Sequence, residues 1–316
     1  MLNITSGRVA RPQKLVLYGV EGIGKTSLAA QTPDPLFIDT EGGTAHLDVR
    51  RLQKPATWDE LIALIKEVAA TPEVCRTLVI DTADWAEQMA IKHICEKYKQ
   101  TGLESFGFGK GYTYLAEEFA RMLRACENVL ASGRNVVIVA HARVRKQELP
   151  EEMGAFDHWE LKLSRQCAPL LAEWPDLLLF VSYKTFVSGT ESGSKKASGG
   201  KRVMYATHHP CWDAKNRFGL PDEMDLDYSH IAHLFTGQAP VPAPPAQPDF
   251  LAELAERMER DAVTEAQIRQ VVAQKGHYPE EVSPAQYHPD FFRQWLFPHW
   301  DKIVDVIRSS PEYTPF

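Results

Sequence analysis

Eight consecutive residues constrain this chain more than all the rest: Gly19-Val20-Glu21-Gly22-Ile23-Gly24-Lys25-Thr26 satisfies GxxxxGK[ST] at every fixed position, directly after the apolar run Leu15-Val16-Leu17-Tyr18. A strand that delivers the chain into a glycine-rich turn aims successive backbone N–H groups inward, where they cradle phosphate oxygens. The helix that follows adds the positive end of its dipole. Gly19, Gly22, Ile23, Gly24, Lys25, Thr26 and Ser27 are therefore expected to hold a nucleoside triphosphate. Lys25 is placed to reach the β- and γ-phosphates, and the Thr26 hydroxyl to ligate Mg²⁺.

Short apolar runs alternate with helix-length segments behind this loop. Lys14 to Gly19, Pro35 to Thr40, Thr77 to Thr82, Asn135 to His141 and Leu177 to Lys184 read as strands. Helices are predicted over Lys25 to Gln31, Thr57 to Ala70 with a Thr57/Glu60 capping box, Ala83 to Lys99, Tyr112 to Ser132 and His158 to Glu173. This alternation predicts an α/β core whose mainly parallel sheet is covered on both faces, with the ligand at the carboxyl ends of the strands.

Ser188 to Lys201 is dominated by Gly, Ser and Lys between two further short strands, and reads as a mobile loop. Ala239 to Pro248 holds five prolines in ten residues, which no helix or central strand tolerates. The reading is thus a core over residues 1–236, a linker over 237–248 and a small helical domain over 249–316. Thr264 with Gln267, and Ser283 with Gln286 behind Pro284, supply two further capping boxes in that last part.

The 316 residues suffice for one large α/β domain with a small appendage, and 44% hydrophobic with 24% charged residues is an ordinary globular balance. No apolar run approaches the length of a membrane span, and residues 1–14 lack the apolar stretch of a signal peptide; no membrane partner and a cytoplasmic location are expected. Five cysteines without a CxxC spacing indicate neither a disulfide framework nor a zinc site. The net charge of −7 is uneven, since residues 249–316 carry 12 acidic and 7 basic side chains, so it does not exclude basic loops that meet nucleic acid.

Hydrolysis of a triphosphate needs a second acidic group in the metal shell, and Asp81 ends the apolar strand Leu78-Val79-Ile80. It also needs a group that polarises water. Glu41 is the expected base, just past the strand Leu36-Phe37-Ile38-Asp39, with Asp39 as the rival and a plain turn before Gly42-Gly43 as the structural alternative. His141 ends the buried run Val136 to Ala140, where a hydrogen-bond donor senses the γ-phosphate.

These segments, together with Ala140-His141-Ala142-Arg143-Val144-Arg145-Lys146, resemble in order and spacing the RecA-type P-loop ATPase core. Phe106-Gly107-Phe108-Gly109-Lys110-Gly111-Tyr112, Glu173-Trp174-Pro175-Asp176 and Ala214-Lys215-Asn216-Arg217-Phe218-Gly219-Leu220-Pro221 are similar to recurring motifs of the RecA-like ATP-binding proteins of bacteriophages, including the Sak-type single-strand annealing group. The likeness covers roughly residues 10–236, and His141 stands where bacterial RecA has glutamine. The resemblance implies ATP and Mg²⁺ as cofactors, Glu41 as base, Asp81 as metal ligand and His141 as sensor.

It further implies a homo-oligomeric ring or filament that binds single-stranded DNA in annealing or strand exchange. The resemblance places DNA-facing loops at Phe106 to Tyr112 and Ala142 to Gln147; Phe106, Phe108 and Tyr112 are then expected to stack on bases, and Lys110, Arg143, Arg145 and Lys146 to meet phosphates, against the alternative of solvated basic loops. Lys215 and Arg217 are the candidates for a finger reaching a neighbouring subunit's phosphate, against a role in packing or an ion pair. The acidic C-terminal domain is expected to bind a protein, such as another replication or recombination factor. The rival functions are a nucleotide-gated replication or packaging assembly factor, a helicase-like motor, and a small-molecule P-loop kinase.

Overall fold

The computed structural model describes residues 7, 11–148, 155–189, 195–235 and 250–309. It has two compact units, Met1–Pro240 and Val241–Phe316. The proline-rich linker expected over 237–248 lies outside the described residues. Among the described residues, no helix is long and apolar enough to cross a membrane.

In the first unit, β1 (Lys14–Gly19), β2 (Pro35–Asp39), β3 (Arg50–Arg51), β4 (Thr77–Asp81), β5 (Asn135–Glu148) and β7 (Leu177–Gly189) form a parallel array in the order β7-β1-β5-β4-β2-β3. At one edge β8 (Lys195–Tyr205) pairs antiparallel with β7, and β10 (Glu223–Asp225) with β8. Off this path, β6 (Ala155–Leu161) pairs with β5 and β9 (Lys215–Asn216) with β7, both antiparallel.

Period-two alternation divides the strand side chains between two cores. Val16, Tyr18, Ile38, Ile80, Ile138 and Phe180 face one layer, packed by α2 (Trp58–Ala70), α3 (Ala83–Lys97), α4 (Lys110–Ala131) and α5 (Cys167–Glu173). Leu15, Leu17, Phe37, Val79, Val139 and Leu179 face the other, packed by α1 (Lys25–Ala29) and α6 (Ser229–Phe235). Helix α2 shows why these segments are helical: Trp58, Leu61, Ile62, Ile65 and Val68 form one buried stripe. Burying each contributes roughly 1.5–3 kcal/mol relative to exposure. Thr57 caps it by accepting from Glu60 N, while the Glu60 carboxylate accepts from Ala56 N rather than completing a box on Thr57.

Three expectations are corrected. The helix predicted over His158 to Glu173 is strand β6 followed by the shorter α5, because β5 continues past His141 and takes residues 155–161 as its partner. For the same reason Ala142 to Gln147 is not a loop but one arm of a β-ribbon. The mobile loop expected over Ser188 to Lys201 is instead paired strand, with β7 and β8 joined as far as Gly189 and Lys195 across one register shift between Lys184 and Thr185; residues 190–194 lie outside the described residues.

The second unit is helical: α7 (Phe250–Asp261), α8 (Glu265–Gln274), α9 (Pro289–Phe291) running into a wider turn over Phe292–Leu296, and α10 (Trp300–Arg308). Leu254, Ile268, Phe292, Leu296 and Trp300 fill its core. Thr264 and Gln267 form the expected capping box, whereas Ser283 instead caps a single 3₁₀ turn by accepting from Ala285 N.

Candidate functional site

Parallel register alone assembles the site. Gly19 on β1 is opposite His141 on β5, Asp81 on β4 is opposite Val139 on β5, and Asp39 on β2 is opposite Asp81. The ends of β1, β4 and β2, and the middle of β5 level with them, therefore present Gly19, Asp81, Asp39 and His141 on one rim, with β5 lying between the loop-bearing strand and the strand that ends in Asp81.

Gly24, with φ 111°, turns the loop into α1 in a conformation that L side chains rarely adopt. A Cβ there would also meet the Arg202 guanidinium at 3.0 Å. Ile23 is fully buried and pins the loop to the second core. Helix α1 has only five residues, so the loop's own N–H groups must do more of the anion binding than a helix dipole. The Lys25 ammonium donates to Gly19 O at 3.0 Å and Val20 O at 2.8 Å. Burial lowers its pKa more than the surrounding carboxylates restore it.

The Thr26 hydroxyl donates to Asp81 Oδ2 at 2.7 Å. These are two hard oxygen donors side by side, the set Mg²⁺ takes from a protein when phosphates and water complete its shell, so the residues fit the ion. Burial raises the Asp81 pKa to about 6, against the lowering effect of the Thr26 hydrogen bond. With the folded value above that of an unfolded carboxylate, this group's contribution to ligand-free stability is full below the unfolded pKa and is lost as pH rises through about 6. A metal must displace the same proton. Affinity for Mg²⁺-nucleotide should therefore weaken by up to about ten-fold per pH unit below that value and level off above it. Calorimetric titrations across this range would show it, and a flat profile would remove Asp81 from the metal shell.

The two rival carboxylates differ in occupation. Asp39 accepts from Gly42 N at 2.6 Å, Thr44 N at 2.9 Å and the Thr44 hydroxyl at 2.6 Å. Burial works to raise its pKa, but the hydrogen bonds from Thr44, Gly42 and Gly43 together hold it below the ordinary value. Asp39 thus shapes the turn that carries Glu41, and Glu41 lines the cleft with Lys25, Thr26, Asp81 and His141 around a cavity of about 270 Å³. Gly22, Gly24 and Ser27 also line it.

Asp84, in the first turn of α3, is a site residue with no signal in the sequence. Its carboxylate accepts from His141 N at 3.1 Å and faces His141 Nδ1 at 2.8 Å. Burial favours its protonation, yet these bonds hold its pKa below the ordinary value. An ionised Asp84 fixes the hydrogen on Nδ1, which leaves Nε2 for the cleft; Nε2 donates to a phosphate oxygen only when the ring carries both protons.

The expected DNA-facing residues are not equivalent. Phe106 turns inward, packed 5.6 Å from Tyr98 and 5.7 Å from Tyr114 between ring centroids. Phe108 is fully exposed at φ 50°, a strained conformation for a bulky residue, just before Lys110 opens α4. On the ribbon, Glu160 accepts from Arg143 Nε at 2.8 Å and lies 4.0 Å from Arg145. Lys146 is opposite Asp157. Lys215 donates to Glu173 O at 2.5 Å and Arg217 to Asp176 at 2.9 Å. A second cavity, of about 500 Å³, brings Arg143, Arg145, Arg165 and Lys215 together beside Glu160.

Residues 11–218 match the sequence model of a family described as an AAA domain. No curated protein matches the chain. A KaiC-like protein from the hyperthermophilic archaeon Pyrococcus horikoshii OT3 is similar in structure, at 12% identity and a TM-score of 0.35, over 62% of this chain and 79% of that one.

Proposed function

Because this chain belongs to the AAA domain family, we propose that its cleft hydrolyses ATP and that the cycle is read out by single-stranded DNA on the β5–β6 ribbon. The observation that carries this reading is the continuity of β5. The same strand ends the cleft at His141 and, without a break, carries Arg143, Arg145 and Lys146 into the ribbon.

Within the cleft each residue has a task. Lys25 leaves its loop carbonyls for the phosphates, Glu41 takes the proton of the attacking water, and His141, oriented by Asp84, donates toward the γ-phosphate in the form that carries both ring protons. Thr26 and Asp81 would hold Mg²⁺, which would neutralise charge on the phosphate oxygens. A finger role for Lys215 and Arg217 requires a second copy of the chain in a ring or filament, and requires both to leave their in-chain partners. The biological setting we favour is phage-type annealing or strand exchange.

A single strand would set its phosphates against the ribbon and its bases against Phe108. The Arg143→Gln/Arg145→Gln/Lys146→Gln/Lys110→Gln protein should bind a single-stranded oligonucleotide more weakly. Its salt dependence should flatten by about 0.7 in log–log slope for each phosphate that is no longer neutralised. An unchanged slope in fluorescence-anisotropy titrations would rule out this surface.

A further inference from the structure

The loop that follows β6 comes to the margin of the nucleotide cleft at Lys162, which pairs with the cleft-lining Glu21. Its backbone N–H donates to the carbonyl of His141 at 2.8 Å, which fixes its backbone beside the sensor position of β5. Its ammonium lies 3.1 Å from the carboxylate of Glu21, a variable position of the phosphate loop that lines the cleft together with His141 and Lys25. We infer that Lys162 is a γ-phosphate-binding residue supplied from within the same chain, parked on Glu21 until a triphosphate displaces that carboxylate.

Three observations support the assignment. First, the pair is a poor structural brace: the side chains are 49% and 72% exposed, where screening leaves an ion pair little strength. It therefore separates easily. Second, Glu21 sits in a field of positive groups. Its pKa is held below the ordinary value by the hydrogen bond and charge of Lys162, and after these by His141 and Lys25. The carboxylate thus marks a spot where the protein concentrates cations at the mouth of a phosphate loop. Third, a terminal phosphate carries more negative charge than one carboxylate and offers three acceptor oxygens, so it outcompetes Glu21 for an ammonium on a flexible four-carbon stem. ADP lacks that group, and Lys162 returns to Glu21.

The position of Lys162 also gives this switch a consequence outside the cleft. The same residue is bonded to β5 at His141, where the strand leaves the cleft for the ribbon, and lies one step past β6, whose last residue, Leu161, pairs with Ala142. Transfer of its ammonium from Glu21 to a phosphate therefore acts at the root of the ribbon.

The inference rests on the cleft holding ATP and is independent of the DNA reading. The test is a titration of the purified full-length protein and its Lys162→Ala, Lys162→Arg and Glu21→Gln variants with ADP and with the non-hydrolysable β,γ-imido analogue of ATP, each with Mg²⁺. Lys162→Ala should bind the analogue about ten-fold more weakly and ADP within about two-fold of wild type, as expected for one charge-assisted hydrogen bond. Lys162→Arg should restore most of the loss. Glu21→Gln should tighten the analogue about three-fold, because it removes the competing carboxylate. A brace on the phosphate loop predicts the opposite for Glu21→Gln, a loss matching that of Lys162→Ala, and that result would overturn the assignment. So would equal losses for both nucleotides in Lys162→Ala, or none. ADP binding in all four proteins keeps the ATP reading of the cleft intact whichever way Lys162 falls.

Discussion

Glu41→Gln protein is expected to bind ATP within about two-fold of wild-type affinity and to lose at least about 100-fold in turnover, the usual contribution of a positioned general base. The amide keeps the size and cleft position of the carboxylate but cannot take the proton of the attacking water. Lys25→Ala should fail earlier. Its ammonium is buried against Gly19 O and Val20 O, at the mouth of the loop where ground-state phosphates sit, so its loss should remove measurable nucleotide binding together with turnover. Equilibrium binding of a fluorescent ATP analogue, paired with phosphate release, separates the two. Near wild-type turnover in Glu41→Gln would move the base elsewhere. Asp39 is poorly placed to replace it, because both its oxygens hold the Gly42 to Thr44 turn.

The second large effect is expected at Gly19, for a reason unrelated to phosphate. This residue pairs with Val181 on β7, and a Cβ added to it would lie 2.0 Å from the Val181 carbonyl oxygen. The obstacle is backbone in the middle of a parallel sheet, not the end of a flexible side chain, so β1 or β7 would have to shift. Gly19→Ala should therefore cost about 3 kcal/mol or more, read as a lowered denaturant midpoint. Gly22→Ala is the control. Gly22 has φ 72° but nothing within 4 Å of its Cβ position, so only the left-handed conformation is penalised, by about 1–2 kcal/mol. Equal midpoints for the two variants would contradict the steric account.

The contrast between these residues shows what one dimension reveals. The rim is legible because an apolar run followed by a polar residue has one reading in a sheet covered on both faces; that puts Gly19 and Asp81 at strand ends and His141 level with them, although β5 does not end there. The partner of His141 is not legible. Asp84 is 57 residues away, at a helix start where acidic residues are common for local reasons, and only the packing of α3 on β5 joins them. The ribbon is hidden because its two arms are individually ambiguous. Arg143 to Lys146 is too charged to read as a strand, and His158 to Leu161 runs on into a genuine helix. Each is extended only because the other supplies its hydrogen bonds. Phe106 shares its glycine-rich segment with the exposed Phe108, but the rings of Tyr98 and Tyr114, brought in by α3 and α4, give it an apolar place to pack.

The strand order also has a consequence for the making of the protein. β1 carries the phosphate loop and is synthesised well before its two sheet neighbours, β5 and β7, which are encoded far downstream of it. At about 5–20 residues per second, Leu15 to Tyr18 emerge many seconds before either neighbour exists. During that interval the run is an unpaired apolar strand with both edges open, the kind of segment on which chaperones act and aggregation starts. Nucleotide gives no protection at that stage, because the rim that holds phosphate is complete only after His141 has joined Gly19. The residues on which the nucleotide cleft depends are thus the ones the chain must shelter longest on the ribosome.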